Sequence, residues 1–194
     1  MSVRAPGLAV AMLLSIAPAV ASGQVGRNER ARSTAIHPVT SPLEMQVWLA
    51  RVPETRHFPP DFSDVLRGQA PAFVIEMTTT QACIPCADLW ARLQDLQRHY
   101  GVRVDLLSRE EAMLRSGRLA LPWVGHPVAW VRAVNDSGRV IPVAIGTDHT
   151  ANLARNIYLA FKMMRGVRPQ VGVRAMARFT GIVGTPSRTR QQKK

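Results

Sequence analysis

Between Pro42 and Val52, the residues Met45, Trp48, Leu49 and Val52 recur at i, i+3, i+4 and i+7, the spacing of one helical face. Leu43 and Val47 widen that face. The Pro59-Pro60 pair interrupts the pattern, and Asp61 to Arg67 reads as one or two helical turns ending at Gly68. The run Ala72 to Met77 (Ala-Phe-Val-Ile-Glu-Met) predicts a buried strand, since β-branched and aromatic residues dominate it. Leu89, Leu93, Leu96 and Tyr100 then mark a helix that stops at Gly101. Val102 to Leu106 alternates as a strand does. Glu110 to Ser116 gives a short helix with acids in its first turn, closed by Gly117.

Pro127 to Val134 predicts another strand, and Asn135-Asp136-Ser137-Gly138 a hairpin turn that returns through Arg139 to Ile145. Pro142 has no backbone donor, which places the returning strand at a sheet edge. Asp148 is read as the cap of a last helix whose Leu153, Ile157 and Phe161 or Met164 face inward. The order is helix, strand, cysteine-bearing helix, strand, helix, strand, hairpin strand, helix. That is an α/β pattern, with no internal repeat.

The two ends read differently from the middle. Arg4, the apolar stretch Leu8 to Ile16, and Pro18 before Ala19-Val20-Ala21 have the form of a secretory leader, with cleavage expected before Ser22. The apolar stretch is shorter than the roughly 20 residues a membrane-spanning helix needs. An uncleaved N-terminal anchor is the competing reading. The expected location is therefore the periplasm, where disulfides form. Residues 22–69 are read as a polar linker followed by the helical extension, residues 70–164 as the principal domain, and residues 165–194 as a basic tail.

Composition alters this picture in one respect. The chain of 194 residues carries 25 Lys and Arg against 13 Asp and Glu, a net charge of +12. A nucleic-acid or anionic-membrane partner is the first thought. Yet residues 22–164 hold 16 basic and 13 acidic side chains, whereas residues 165–194 hold eight basic ones and no acid. The charge is thus a property of the tail, and a solvated tail is its plainest meaning. A working tail would meet anionic lipid headgroups or an acidic partner protein. Nucleic acid is not expected, because no aromatic residues alternate with the arginines. With 46% hydrophobic residues the chain has ample material for a core, and wholesale disorder is excluded.

The chemistry lies in the only two cysteines, Cys83-Ile84-Pro85-Cys86, which open a helix directly after a strand. A thiol at a helix N-terminus sits among free N–H groups and the positive end of the macrodipole. Both favour the thiolate and lower its pKa from the free value of about 8.5. The thiolate is the form that attacks a disulfide. Cys86, one turn further on, is placed to resolve the mixed disulfide, and Pro85 costs no hydrogen bond in a first turn. Three other readings stay open: a plain structural disulfide, half of a zinc or copper site completed by a distant residue such as His126, and an inert pair.

This arrangement resembles the thioredoxin-like family over roughly residues 70–164. The likeness rests on the strand, the Cys83–Cys86 motif, the long helix, the following strand and helix, and Gly125-His126-Pro127 ahead of a strand and hairpin. The resemblance implies a thioredoxin-like α/β fold, a central mixed sheet flanked by helices. It implies that Cys83 is the nucleophile and Cys86 the resolving thiol. It also implies that Pro127, 41 residues past Cys86, belongs to a substrate-contacting loop with His126 just before it. The sequence departs from the family at two points. Ala82 stands where many members have Trp, and Met77 where many bury an acid six residues before the first cysteine. His126 and Glu76 are then the candidates for proton transfer to or from Cys86, although Glu76 as a neighbour of Met77 should point to the other face. Trp90, Trp123 and Trp130 are read as core or groove-lining residues, and Met163-Met164 as packing.

The leading expectation is an exported thiol–disulfide oxidoreductase acting on protein thiols or disulfides, with no cofactor, no metal and a redox partner that recycles the pair. The alternative is a thioredoxin-like structural component of a conjugative-transfer or type IV secretion apparatus, docking through its N-terminal extension and basic tail. A metallochaperone would want three residues between the cysteines, and this chain has two.

Overall fold

In a computed structural model, which describes residues 37–118, 127–167 and 181–184, the strand β2 (Phe73–Thr78) is buried along its whole length. It lies inside a four-stranded mixed sheet of order β3-β2-β4-β5. On one side β3 (Arg103–Leu107) runs parallel to it, with Ile75 opposite Val104. On the other side β4 (Val128–Ala133) runs antiparallel, with Ile75 opposite Val131. The strand β5 (Asp136–Ile145) closes the sheet as an edge, where Pro142 pairs with Trp130 beside a bulge. A proline is tolerated there because an outer strand has a free donor side. The parallel step from β2 to β3 needs a long crossover, and the helix α3 (Ile84–Tyr100) supplies it.

Phe73, Ile75 and Met77 face a core built from three helices. Leu89, Leu93 and Leu96 come from α3; Phe62 and Leu66 come from α2 (Phe62–Gln69); Leu153, Ile157 and Phe161 come from α5 (Thr150–Met164). Phe73 stacks on Phe161 with ring centroids 4.6 Å apart. Each of these side chains contributes about 1.5–3 kcal/mol by leaving water. The alternate residues Val74, Glu76 and Thr78 point to the opposite face of the sheet. The remaining helices are α1 (Pro42–Leu49) and α4 (Arg109–Arg118). Among the described residues no helix is long and apolar enough to cross a membrane.

Four local expectations are corrected. The helix α1 ends at Leu49 rather than reaching Val52. Gly117 falls within α4 instead of closing it. The hairpin turns earlier than the Asn-Asp-Ser-Gly run suggested, because Ala133 already pairs with Asp136. Asp136 then spends its Oδ1 on the N–H of Gly138, 2.7 Å away, inside β5. Asp148 is not the cap of α5, a place taken by His149; its carboxylate accepts from the His149 N–H at 2.6 Å and from Asn152 Nδ2 at 2.7 Å.

The larger difference concerns the two ends. A short strand β1 (His37–Val39), within the segment read as linker, pairs in parallel with β6 (Ile182–Gly184), within the segment read as tail. Ile182, Val39, Met45 and Leu49 bury one another, with Trp48 and Ile84 packed alongside. The cap of α1 explains why this extension is ordered. Ser41 Oγ accepts from the Glu44 N–H at 3.2 Å, and Glu44 reaches back to the Thr40 N–H at 2.8 Å. The loop that follows is tied to α5: Thr55 N–H donates to Asn152 Oδ1, and Asn152 Nδ2 donates to the Pro53 carbonyl. The segment 1–21 expected to be a leader, His126, Trp123 and the basic residues Arg168 to Arg178 and Arg188 to Lys194 lie outside the described residues.

Candidate functional site

The chain leaves the buried end of β2 at Thr78, turns through Thr79 to Ala82, and enters α3 at Cys83. Ala82 is held at φ +54°, a left-handed conformation that costs an alanine about 1 kcal/mol. That turn delivers Cys83 in extended geometry (φ −91°, ψ 102°) as the N-cap residue of α3. Its Sγ accepts the Cys86 N–H at 3.2 Å, a group with no partner inside the helix. Cys83 and Cys86 form a disulfide, with Cα atoms 5.2 Å apart. Pro85 occupies the first turn, as expected. Both cysteines are buried, Cys83 at 8% exposure and Cys86 at 2%.

An open groove of about 630 Å³ runs along one side of the disulfide. Its walls are mostly apolar: Met77 at the floor, Ala82 and Ile84 at the cysteine turn, Trp90 one turn beyond Cys86, and Leu106 from β3. Thr79 and Thr80 also line it. The indole of Trp90 is thus groove-lining, whereas Trp130 is fully buried on the other face of the sheet.

The strand β6 packs against Cys83. A methyl group placed on Gly184 would lie 2.9 Å from Cys83 Sγ and 3.3 Å from its Cβ, so only a glycine lets the strand approach the Cys83 side chain this closely. The strand is anchored to the main sheet next to Gly146, where a side chain would collide with the Ile182 backbone at 2.5 Å. Gly181 N–H donates to the Ile145 carbonyl at 3.0 Å, and Thr147 N–H to the Ile182 carbonyl at 3.2 Å.

Pro127 is buried at the start of β4, the same end of the sheet as the cysteine turn. Its carbonyl accepts the Gly146 N–H at 2.8 Å, and the next residue, Val128, donates to Thr78 Oγ1 at 2.9 Å. Glu76 goes elsewhere. Met77 faces the cysteine groove, so Glu76 projects from the other side of β2, where its Oε1 accepts from Arg132 Nε at 2.6 Å. The structure therefore joins Cys83 to Cys86, sets Pro127 at their end of the sheet, and keeps Glu76 away from both sulfurs. His126 lies outside the described residues.

Several contributors were not foreseen. Asp88, two residues past Cys86, pairs with Arg92 at 2.7 Å and accepts a hydrogen bond from Thr147, fixing α3 against the segment that holds Gly146. Asp148 nearby has its pKa pushed up to about 6, chiefly by burial, against the opposing pull of its Asn152 and His149 hydrogen bonds. For Gly184 a signal existed: Gly181-Ile182-Val183-Gly184 is a short β-branched run inside an otherwise basic tail. Among the described residues, no three His, Cys, Asp or Glu side chains cluster as a metal site would require. Compared with known proteins, the chain matches no family model, no curated protein and no solved structure.

Proposed function

We propose that this protein is a thiol–disulfide oxidoreductase of thioredoxin-like type, exported through its N-terminal leader and acting on thiols or disulfides of other proteins in the periplasm. One observation carries the reading: Cys83 Sγ caps α3 and accepts the Cys86 N–H, beside an open apolar groove. A sulfur in that position gains from the helix dipole and from a directed donor, and both gains are larger for a thiolate than for a thiol. The strand order β3-β2-β4-β5, with only β3 parallel to β2 and Pro127 at the head of β4, supports the thioredoxin-like assignment.

The chemistry follows from the two positions. With the pair oxidised, a substrate thiolate attacks Cys83 Sγ, and Cys86 leaves as a thiolate. A second substrate thiolate then attacks its own sulfur in the mixed disulfide and releases Cys83. Two electrons pass to the chain and the substrate gains the disulfide. Run backwards, with Cys83 as the attacking thiolate, the same steps reduce a substrate. The test is trapping. Cys86→Ser should accumulate a mixed disulfide with an unfolded test protein whose single cysteine carries thionitrobenzoate in disulfide linkage: the Cys83 thiolate attacks the test protein's sulfur, thionitrobenzoate leaves, and the adduct is visible on a non-reducing gel. Cys83→Ser should accumulate none. Equal trapping by both variants would sink the assignment of Cys83 as nucleophile.

A second reading is favoured by the terminal strands: β6 packs against Cys83, and β1, from the other end of the chain, pairs with β6. In that reading the fold serves as a docking component of a conjugative-transfer or secretion apparatus, and the basic tail meets an acidic protein or an anionic lipid surface. It predicts that replacing both cysteines by serine leaves partner association intact.

A further inference from the structure

The strand β6 lies along the Cα–Cβ–Sγ edge of Cys83, and nothing in the exchange chemistry calls for it there. It is built from the region of the chain with the most like charge, yet Ile182 and Val183 are buried to 1% and 4% exposure. Its partner β1 comes from the other end, with Val39 directly opposite Gly184. The two strands make a clip outside the four-stranded sheet, joined to it at Gly181–Ile145 and Thr147–Ile182. Three-residue strands over so small an apolar cluster, with those two hydrogen bonds to the sheet, open at lower cost than the main core.

Thiol–disulfide exchange depends on access to the attacked sulfur. The incoming sulfur must approach Cys83 from the side away from Cys86, because attacking, central and leaving sulfurs fall near one line. Cys86 is still more buried and cannot substitute as the point of attack.

We propose that β6 is a built-in cover over Cys83, and that separation of the β1–β6 clip sets the rate at which the disulfide can be attacked. Gly184 is the contact point, and Val39 holds it in place from behind. The cover makes the oxidised pair slow to react until a partner or substrate displaces the strand. The inference rests on the proposed exchange activity only in that the pair must be reducible. A small dithiol reports access to Cys83 even if no protein substrate is turned over.

The experiment uses the full chain, oxidised, and follows its reduction by dithiothreitol over a wide concentration range by quenching with a thiol-alkylating mass tag. In each event one dithiothreitol thiolate attacks Cys83 Sγ and expels Cys86. The second thiolate then closes dithiothreitol to its cyclic disulfide, releasing Cys83. If opening precedes attack, the wild-type rate levels off as dithiothreitol is raised. Gly184→Ala, which forces the strand off Sγ, and Val39→Ala, which weakens the clip without touching either cysteine, should each raise the plateau at least tenfold. A wild-type rate that stays linear in dithiothreitol, with both variants within twofold of it, overturns the proposal. If Gly184→Ala fails to fold, Val39→Ala decides alone, because Val39 belongs to the small cluster and not to the main core.

Discussion

The backbone N–H of Cys86 donates to Sγ of Cys83 across 3.2 Å, so the two cysteines are linked by a helix cap as well as by a covalent bond. The consequence is that reduction does not leave the first turn of α3 without an acceptor, because the freed Sγ still caps it. Stability and reactivity therefore meet in one atom.

That double role can be separated by substitution. Cys83→Ser and Cys83→Ala both abolish the disulfide, but serine keeps an acceptor at the N-cap and alanine does not. Cys83→Ala should be less stable than Cys83→Ser by about 1 kcal/mol in urea unfolding. Equal midpoints would mean that the cap contributes nothing.

Glu76 offers a second separation. It is paired with Arg132 on the face of β2 away from the sulfurs, with only 4% of its side chain exposed. Glu76→Gln leaves the half-buried Arg132 without its counter-charge, although its bonds to the Ala133 and Val134 carbonyls remain, and should cost about 1–3 kcal/mol of stability. The rate and pH profile of exchange at Cys83 should stay within twofold of wild type. A displaced pH profile would return Glu76 to the role of proton acceptor.

Asp148 predicts a pH dependence of folding. Its pKa is raised from 3.8 to about 6, mainly by burial, with the nearby His149 and Arg92 charges opposing the rise. Between about pH 4 and 6 the folded chain keeps a proton that the unfolded chain has lost. Stability from this group is therefore greatest at the acid end of that window and declines as pH rises through it, by roughly 2–3 kcal/mol, then stays level. Asp148→Asn should flatten that slope in denaturant titrations at pH 4.5, 6 and 7.5. An unchanged slope would remove Asp148 as its source.

Ala82 carries the one left-handed backbone conformation among the described residues other than glycine. Ala82→Gly should relieve it and stabilise the protein by about 1 kcal/mol. Ala82→Val, β-branched at the same φ, should destabilise it. Thermal unfolding of the pair checks both signs, and a loss of stability in Ala82→Gly would contradict the strain.

What the sequence reveals and what it conceals divides along physical lines. The periodic apolar faces of α3 and α5, the strand at 73–78 and the cysteine turn are legible because local spacing and tertiary burial agree there. Cys83 and Cys86 are legible for the same reason, since strand, cap and first turn are consecutive in the chain. The clip is not. Val39 and Gly184 are 145 residues apart and each sits in a three-residue strand too short to leave a period. The contact of Gly184 with Cys83 is likewise an absence of side chain, which no hydrophobic pattern records. Asp148 shows the limit of capping rules: the residue type is right for a cap, but its carboxylate is spent one position earlier, on His149 and Asn152.

The most direct test of the central claim is the pH dependence of iodoacetamide alkylation in reduced Cys86→Ser, where Cys83 is the only thiol and the residue-86 backbone donor remains. A sulfur activated by the α3 N-terminus should alkylate with a midpoint at least one pH unit below the ordinary thiol value of about 8.5. A midpoint at or above that value would contradict the account and leave Cys83–Cys86 a structural disulfide.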